Sequence, residues 1–79
     1  MKTDKKDILW KANYRYDFDR DLFINREARK AFSLEFVSDK TEQELQQRIE
    51  ERTASNGWTF YFNSAPSSGA MRELERALG

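Results

Sequence analysis

The segment GWTFYFN, residues 57–63, carries four aromatic residues within five positions of this 79-residue chain. Aromatic side chains bury large areas and suit the pleated, half-buried surface of a sheet. Successive side chains of a strand point to opposite faces. The segment therefore predicts a central strand that buries Trp58, Phe60 and Phe62 on one face and presents Tyr61 on the other.

Two further segments predict strands by the same alternation. Residues 8–18 alternate between apolar and polar positions, and the apolar set is Trp10, Ala12, Tyr14, Tyr16 and Phe18. Residues 31–37 place Phe32, Leu34 and Phe36 on a single face in the same way. Alternation with a period of two is typical of a strand with one buried face. It is strongest in residues 8–18.

Residues 19–30 connect these two segments and allow two interpretations. In the first, a polar turn is followed by an apolar trio, residues 22–24, that covers the edge of the core. In the second, Asn25 is the N-cap of a short helical turn over residues 25–30.

A helix is predicted to begin near residue 41. Two capping boxes are possible at its start, Thr41 with Glu44 or Asp39 with Glu42. The large apolar residues of this helix lie four positions apart on one face, and they are Leu45 and Ile49. Asn56 and Gly57 supply a left-handed stop after it.

A second helix is predicted at the end of the chain. Ser67 or Ser68 caps its start, and it extends to about residue 78. Its apolar stripe is narrow and consists of Met71, Leu74 and Leu78.

These elements predict an α+β fold in the order β-β-α-β-α. The simplest architecture is a three-stranded antiparallel sheet with two helices on one face. The position of the third strand beside the first or the second is left open. Residues 1–7 are expected to be a flexible segment, and residues 8–79 a single small domain.

The composition argues against catalysis. The chain has no cysteine and no histidine, so the thiolate nucleophile and the commonest general base and metal ligand are missing. Fourteen basic residues balance fourteen acidic ones, and no apolar run approaches the length of a membrane span. We expect a cytoplasmic, non-catalytic protein with no cofactor and no metal site.

The predicted sheet carries more ring surface than the few aliphatic residues of the helices can cover. Uncovered aromatic surface is typical of an interaction site. We therefore expect a small protein-binding or regulatory module that acts through its aromatic sheet surface or a sheet edge, with a protein partner or as a homodimer. The interface candidates are Lys11, Arg15, Phe23 and Tyr61.

Nucleic-acid binding is the alternative function. The densest basic cluster lies between the first two predicted strands, where cations would contact phosphates. Its candidate residues are Arg20, Arg26, Arg29 and Lys30. Neighbouring acidic residues interrupt this cluster, and phosphate binding depends on many uncancelled cations.

An acidic turn resembles part of a calcium loop. Asp17, Asp19 and Asp21 have the spacing of the first three ligands. Leu22 stands where such a loop needs glycine, and Ala28 stands where it needs a bidentate glutamate. An ordinary acidic turn is the better interpretation, and cation binding is left open.

Overall fold

The computed structural model describes residues 4–52, 57–64 and 66–79. Its elements in chain order are α1 (Lys5–Lys11), β1 (Arg15–Asp17), β2 (Leu22–Asn25), β3 (Lys30–Ser33), α2 (Leu34–Asp39), α3 (Glu42–Glu50), β4 (Thr59–Tyr61) and α4 (Ser68–Leu78). The chain is an α+β protein, as predicted. Within the described residues the sheet has four strands rather than three, and four helices replace the expected two.

The sheet is mixed, with strand order β1-β2-β3-β4. The β1–β2 and β2–β3 pairs are antiparallel, whereas β4 runs parallel to β3. A parallel pair needs a long crossover connection, and here α2 and α3 lie between the two strands in the chain. The prediction of a wholly antiparallel sheet is therefore wrong, and the last strand pairs with β3.

The predicted strand over residues 8–18 is replaced by a helix and a short strand. The carboxylate of Asp4 accepts a hydrogen bond from the Lys6 amide at 3.1 Å and caps α1. The chain leaves this helix at Asn13, which adopts a positive φ of 75° that asparagine tolerates. Of the predicted strand only Arg15–Asp17 remains. The helix begins at Lys5, inside the segment that was expected to be flexible.

The apolar trio of residues 22–24 forms the second strand instead of covering the core edge. All four residues of β2 are buried, and the strand pairs on both sides. The predicted helical turn after it is also wrong, because residues 26–29 form the turn of a β2–β3 hairpin. The Asn25 carboxamide still caps this turn by accepting hydrogen bonds from the Glu27 and Ala28 amides at 3.0 Å.

The predicted strand over residues 31–37 ends halfway. Ser33 closes β3, and its hydroxyl accepts a hydrogen bond from the Phe36 amide at 3.1 Å. That contact makes Ser33 the N-cap of α2. A local cap therefore overrides the alternation of Phe32, Leu34 and Phe36.

The two predicted helices are confirmed. Thr41 and Glu44 form the reciprocal capping box of α3, which selects this register over the one at Asp39. Ser67 caps α4 by accepting from the Ala70 amide at 3.3 Å. The predicted helix stop at Asn56 lies outside the described residues.

Helices cover both faces of the sheet rather than one. On one face, which we call the α1–α3 face, buried residues of α1, α2 and α3 pack on Phe23 and Phe32. On the opposite face, which we call the α4 face, Leu74 and Leu78 of α4 pack on the strands. The sheet residues of the α4 face are Leu22, Ile24, Ala31 and Phe60. Alternation along β2 and β3 produces this division.

An aromatic row crosses all four strands on the α1–α3 face. The strand register aligns Tyr16 with Phe23, Phe23 with Phe32, and Phe32 with Tyr61. Phe32 and Tyr61 are stacked, with ring centroids 4.6 Å apart, and Tyr16 and Phe23 are 4.9 Å apart. This aromatic row (Tyr16, Phe23, Phe32, Tyr61) is the centre of the larger core.

None of the helices in residues 4–52, 57–64 and 66–79 has both the length and the apolar character needed to cross a membrane.

Candidate functional site

Two aromatic side chains are exposed beside the Tyr16 end of the aromatic row. Trp10 on α1 is 61% exposed, and Phe18 in the β1–β2 turn is 84% exposed. A smaller apolar residue, Leu34 at the start of α2, is 36% exposed. The other large apolar side chains of the described residues are buried or half-buried, so these three mark a distinct surface.

These residues surround an open groove with a volume of about 590 Å³. Its apolar lining consists of Trp10, Tyr14, Tyr16, Phe18, Phe23 and Leu34. The remaining lining residues are both cationic, and they are Lys6 and Arg15. We call these eight residues the aromatic groove. Its floor is buried and belongs to the core, whereas its walls come from α1, the β1–β2 turn and the start of α2.

One wall is ordered by contacts between α1 and β1. The Arg15 guanidinium lies over the Trp10 ring, with 3.5 Å between its central carbon and the ring centroid. Nη1 of Arg15 also donates hydrogen bonds to the carbonyls of Trp10 at 3.2 Å and Tyr14 at 2.9 Å. The exposed indole is therefore held in place without being covered. Such a wall loses little conformational freedom when a partner binds.

The opposite wall is ordered by the β1–β2 turn. The Tyr16 hydroxyl donates a hydrogen bond to the Asp21 carboxylate at 2.7 Å, and this bond raises the pKa of Tyr16 above its ordinary value. The Phe18 ring meets Tyr16 edge to face, with centroids 4.9 Å apart. Asp21 itself adopts a positive φ of 51°, which bends the turn. Tyr16 thus supports Phe18 in its exposed position.

A second depression, of about 780 Å³, lies beside Tyr16 and Phe18 and is of a different kind. Its lining includes cations and carboxylates together, among them Arg26, Asp17 and Glu27. Mixed charges of this kind neutralise one another locally. The aromatic groove is therefore the better candidate for a specific apolar contact.

The four residues predicted for a protein interface are separated by the fold. Arg15 and Phe23 line the aromatic groove, Phe23 as part of its buried floor. Lys11 is exposed on α1, next to Trp10 in the chain but outside the lining. Tyr61 was predicted to face outward, but it packs against Phe32 and Phe36 in the core. The structure brings two of the four together.

The basic residues predicted for nucleic-acid binding are also dispersed. Lys30 is only 3% exposed, and its ammonium group donates to the carbonyls of Arg48, Ile49 and Glu51 at the end of α3. Burial lowers the pKa of Lys30, with a smaller opposing effect from the Glu51 carboxylate. One candidate cation is thereby committed to the fold.

The other candidate cations also make internal contacts or stand apart. Arg26 donates to the Leu78 carbonyl at 2.8 Å and thereby holds the end of α4. Arg20 pairs with Asp17 at 2.8 Å, and this contact holds the pKa of Asp17 below its ordinary value. Arg29 is exposed in the β2–β3 turn. One of the four candidate cations is thus buried, and two of the three exposed ones make contacts within the fold.

The acidic turn has local contacts of its own. Asp17 accepts from Arg20 and from the Asp19 amide, the latter at 2.9 Å, and Asp21 accepts from Tyr16. In the described part of the chain, no group of three or more acidic side chains is placed to hold a metal ion. The bond from the Asp19 amide to the Asp17 carboxylate is that of an ordinary Asx turn.

Sequence reasoning assigned the main residues of the aromatic groove to the core. Trp10 and Phe18 were both placed on the buried face of the strand over residues 8–18. The adjacent pair Ile8 and Leu9, both buried in α1, interrupts that alternation and is the signal that favours a helix. On a helix that buries Ile8 and Leu9, Trp10 lies at the exposed side.

No protein-family model, no curated protein and no solved structure matches this chain. The geometry of the aromatic groove is accordingly the basis for a functional proposal.

Proposed function

We propose that this chain is a small, non-catalytic module that binds a protein partner through the aromatic groove. The observation that carries the proposal is the exposure of Trp10 and Phe18 in the lining of one mostly apolar groove. Both rings are fixed by neighbours, Trp10 by Arg15 and Phe18 by Tyr16. Rigid aromatic residues around a desolvated pocket are typical of the residues that dominate protein interfaces.

The groove also lies beside a sheet edge. β1 is the first strand in the order and pairs only with β2 in the described residues. An edge strand offers backbone groups to an added segment, although β1 is short. The apolar anchor of the partner would enter between Trp10 and Phe18, and its backbone would pass along β1.

Selection from a library of random 12-residue peptides on the immobilised protein tests this proposal. We expect enriched peptides to contain a large apolar residue, and their affinity to fall at least tenfold on Trp10→Ala or Phe18→Ala, as is typical of anchor residues. Met71→Ala is the matched control, because Met71 lies on α4 away from the groove. Peptides that bind these variants as well as the parent would contradict the proposal.

The tryptophans allow a direct measurement of where the peptides bind. Replacing Trp58 by Phe leaves Trp10 as the sole indole of the chain. The indole Nε1 of Trp58 is buried without a hydrogen-bond partner among the described residues, so the replacement removes no such bond. Binding in the groove should shift the Trp10 emission to shorter wavelength. An unchanged emission spectrum at saturation would place the peptides elsewhere.

A further inference from the structure

The charged part of the groove lining has a single sign. Lys6 and Arg15 line the aromatic groove, and no carboxylate stands among its eight lining residues, all of which are described. In the neighbouring β1–β2 turn, Asp17 is paired with Arg20 and Asp21 accepts from the Tyr16 hydroxyl. On their other side, Arg15 and Phe18 line the second depression together with Asp17, Asp19 and Glu27. The charged side chains of the groove lining itself are therefore both positive, in a chain whose formal net charge is zero.

Arg15 retains hydrogen-bonding capacity beyond its contacts within the fold. Its hydrogen bonds to the carbonyls of Trp10 and Tyr14 both come from Nη1. A guanidinium has five N–H donors, and among the described residues Nε and Nη2 of Arg15 make no hydrogen bond, so they remain for a ligand. A carboxylate is the acceptor that matches this planar group best in a protein.

We infer that the aromatic groove takes a protein segment in which an acidic residue adjoins a large apolar one. This inference rests on the proposed function and specifies the partner's chemistry. The apolar side chain contacts Trp10 and Phe18, and the carboxylate pairs with Arg15 and, more weakly, with Lys6. Charge complementarity of this kind adds specificity and steers the encounter.

A second copy of the chain fits the groove less well. Two copies related by a twofold axis bring the same patch of each into contact. Each copy would then bring Lys6 and Arg15 into the contact, without a carboxylate in the lining of the other copy to pair with them. Like charges opposed at an interface weaken the association. The loss in affinity is on the order of a thousandfold, which corresponds to about 4 kcal/mol.

A nucleic acid also supplies anions, but it matches fewer features of the groove. Six of the eight lining residues are apolar or aromatic, and only two are cations. Proteins that bind single-stranded nucleic acids use a groove with many cations that follows the phosphate backbone. Here Lys30 is buried and bound to backbone carbonyls, and neither Arg26 nor Arg20 lines the groove.

The inference is tested by the amino-acid composition of the selected peptides and by two variants in which a cationic side chain of the groove is replaced by a neutral one. We expect Asp and Glu to be enriched beside the apolar anchor relative to the unselected library. Arg15→Gln should weaken these peptides about tenfold and Lys6→Gln about threefold, the range for charge-assisted and exposed ion pairs. Lys11→Gln is the matched control, because Lys11 is an exposed cation of α1 outside the lining, and its effect should stay within about twofold.

The outcomes separate this inference from the proposed function. Peptides that need Trp10 but show no acidic enrichment, and that bind Arg15→Gln as well as the parent, would overturn the inference and leave the proposed function standing. Peptides that bind without Trp10 would overturn both. Binding of a fifteen-nucleotide oligothymidylate that is lost on Trp10→Ala would overturn the inference. A dimer that is detected by sedimentation velocity and dissociated by Trp10→Ala would also overturn it.

Discussion

The two ends of the aromatic row differ in what covers them. At the Tyr61 end, Phe32 and Tyr61 are packed beneath α2 and α3, with Phe36 and Leu45 among their neighbours. At the Tyr16 end, the tyrosine ring is half-buried against the core, and Phe18 beside it is almost fully exposed. The same type of residue thus stabilises the fold at one end and is available to a partner at the other.

The difference follows from helix placement rather than from residue type. α3 is fixed over the Tyr61 end by its capping box and by Lys30, whose ammonium group holds the last carbonyls of the helix. α1 is short, and on its outer side Trp10 is covered only in part, by the Arg15 guanidinium, so that the indole remains mostly exposed. Surplus ring surface was predicted on the sheet, but the two exposed rings lie on α1 and in the β1–β2 turn. Tyr61, which was predicted to face outward, packs against the core.

The largest effect is expected from removing the central ring of the covered end. Phe32 is fully buried, and Phe32→Ala should lower the free energy of unfolding by about 3–5 kcal/mol. Urea denaturation followed by far-ultraviolet circular dichroism measures this change. Because a loss of this size can unfold so small a domain, Phe32→Leu provides a milder variant with the same direction of effect. A loss below about 1 kcal/mol for Phe32→Ala would mean that Phe32 is not the centre of the core.

Lys30→Met should have the next largest effect. The substitution keeps an unbranched side chain but removes the donor for three carbonyls at the end of α3. Leaving buried acceptors unpaired and losing a cation at a helix C-terminus should destabilise the fold by about 2 kcal/mol. The control is Arg29→Met, an exposed cation one residue earlier. Equal stability of the Lys30→Met variant and the parent would show that water replaces the ammonium group there.

Sequence patterns predicted the parts of the fold that depend on local contacts. The start of α3 was predicted from Thr41 and Glu44, because the capping box is formed by residues three apart. α4 was predicted from Ser67 and its apolar stripe for the same reason. In contrast, the alternation from Trp10 to Phe18 predicted one long strand. The structure has the end of a helix, a turn at Asn13 and a three-residue strand in its place.

The candidate site was harder to predict, because hydrophobicity does not distinguish a buried ring from an exposed one. Trp10, Phe18 and Phe32 have the same sequence signal, yet only Phe32 is buried. Arg15 was identified because it stood on the polar side of an apparent strand. Lys6 and Leu34 could not be identified, because tertiary packing alone brings α1, β1 and α2 together.

At alkaline pH, a smaller effect on stability should distinguish the Tyr61 end of the aromatic row from the Tyr16 end. Burial raises the pKa of Tyr61 above its ordinary value, with a further contribution from the Glu51 carboxylate. The folded state therefore keeps a proton that the unfolded state has lost, so this stabilisation is complete below pH about 10 and is lost as pH rises through the folded pKa. Lys30, whose pKa is lowered, contributes with the opposite sign, so variants must be compared with one another.

The measurement is the urea midpoint between pH 9 and pH 11 for Tyr61→Phe and Tyr16→Phe. Phenylalanine cannot ionise, so Tyr61→Phe should lose less stability than the parent over this range. The pKa of Tyr16 is also raised, through the hydrogen bond to Asp21. However, the Tyr16 hydroxyl is exposed, and water screens this bond. Tyr16→Phe should therefore change the pH dependence less. A larger effect at Tyr16 than at Tyr61 would reverse the proposed difference between the ends.

The smallest effect on stability is expected from Phe18→Ala. A side chain that is 84% exposed loses little burial when it is truncated, so the free energy of unfolding should change by no more than about 0.5 kcal/mol. The same substitution should cost peptide affinity at least tenfold, whereas a folded Phe32→Leu variant should bind nearly as well as the parent. This opposition between stability and binding is the sharpest test of the comparison. A Phe18→Ala variant that unfolded more easily and bound unchanged would show that Phe18 supports the fold, and the open end of the row would then have no separate role.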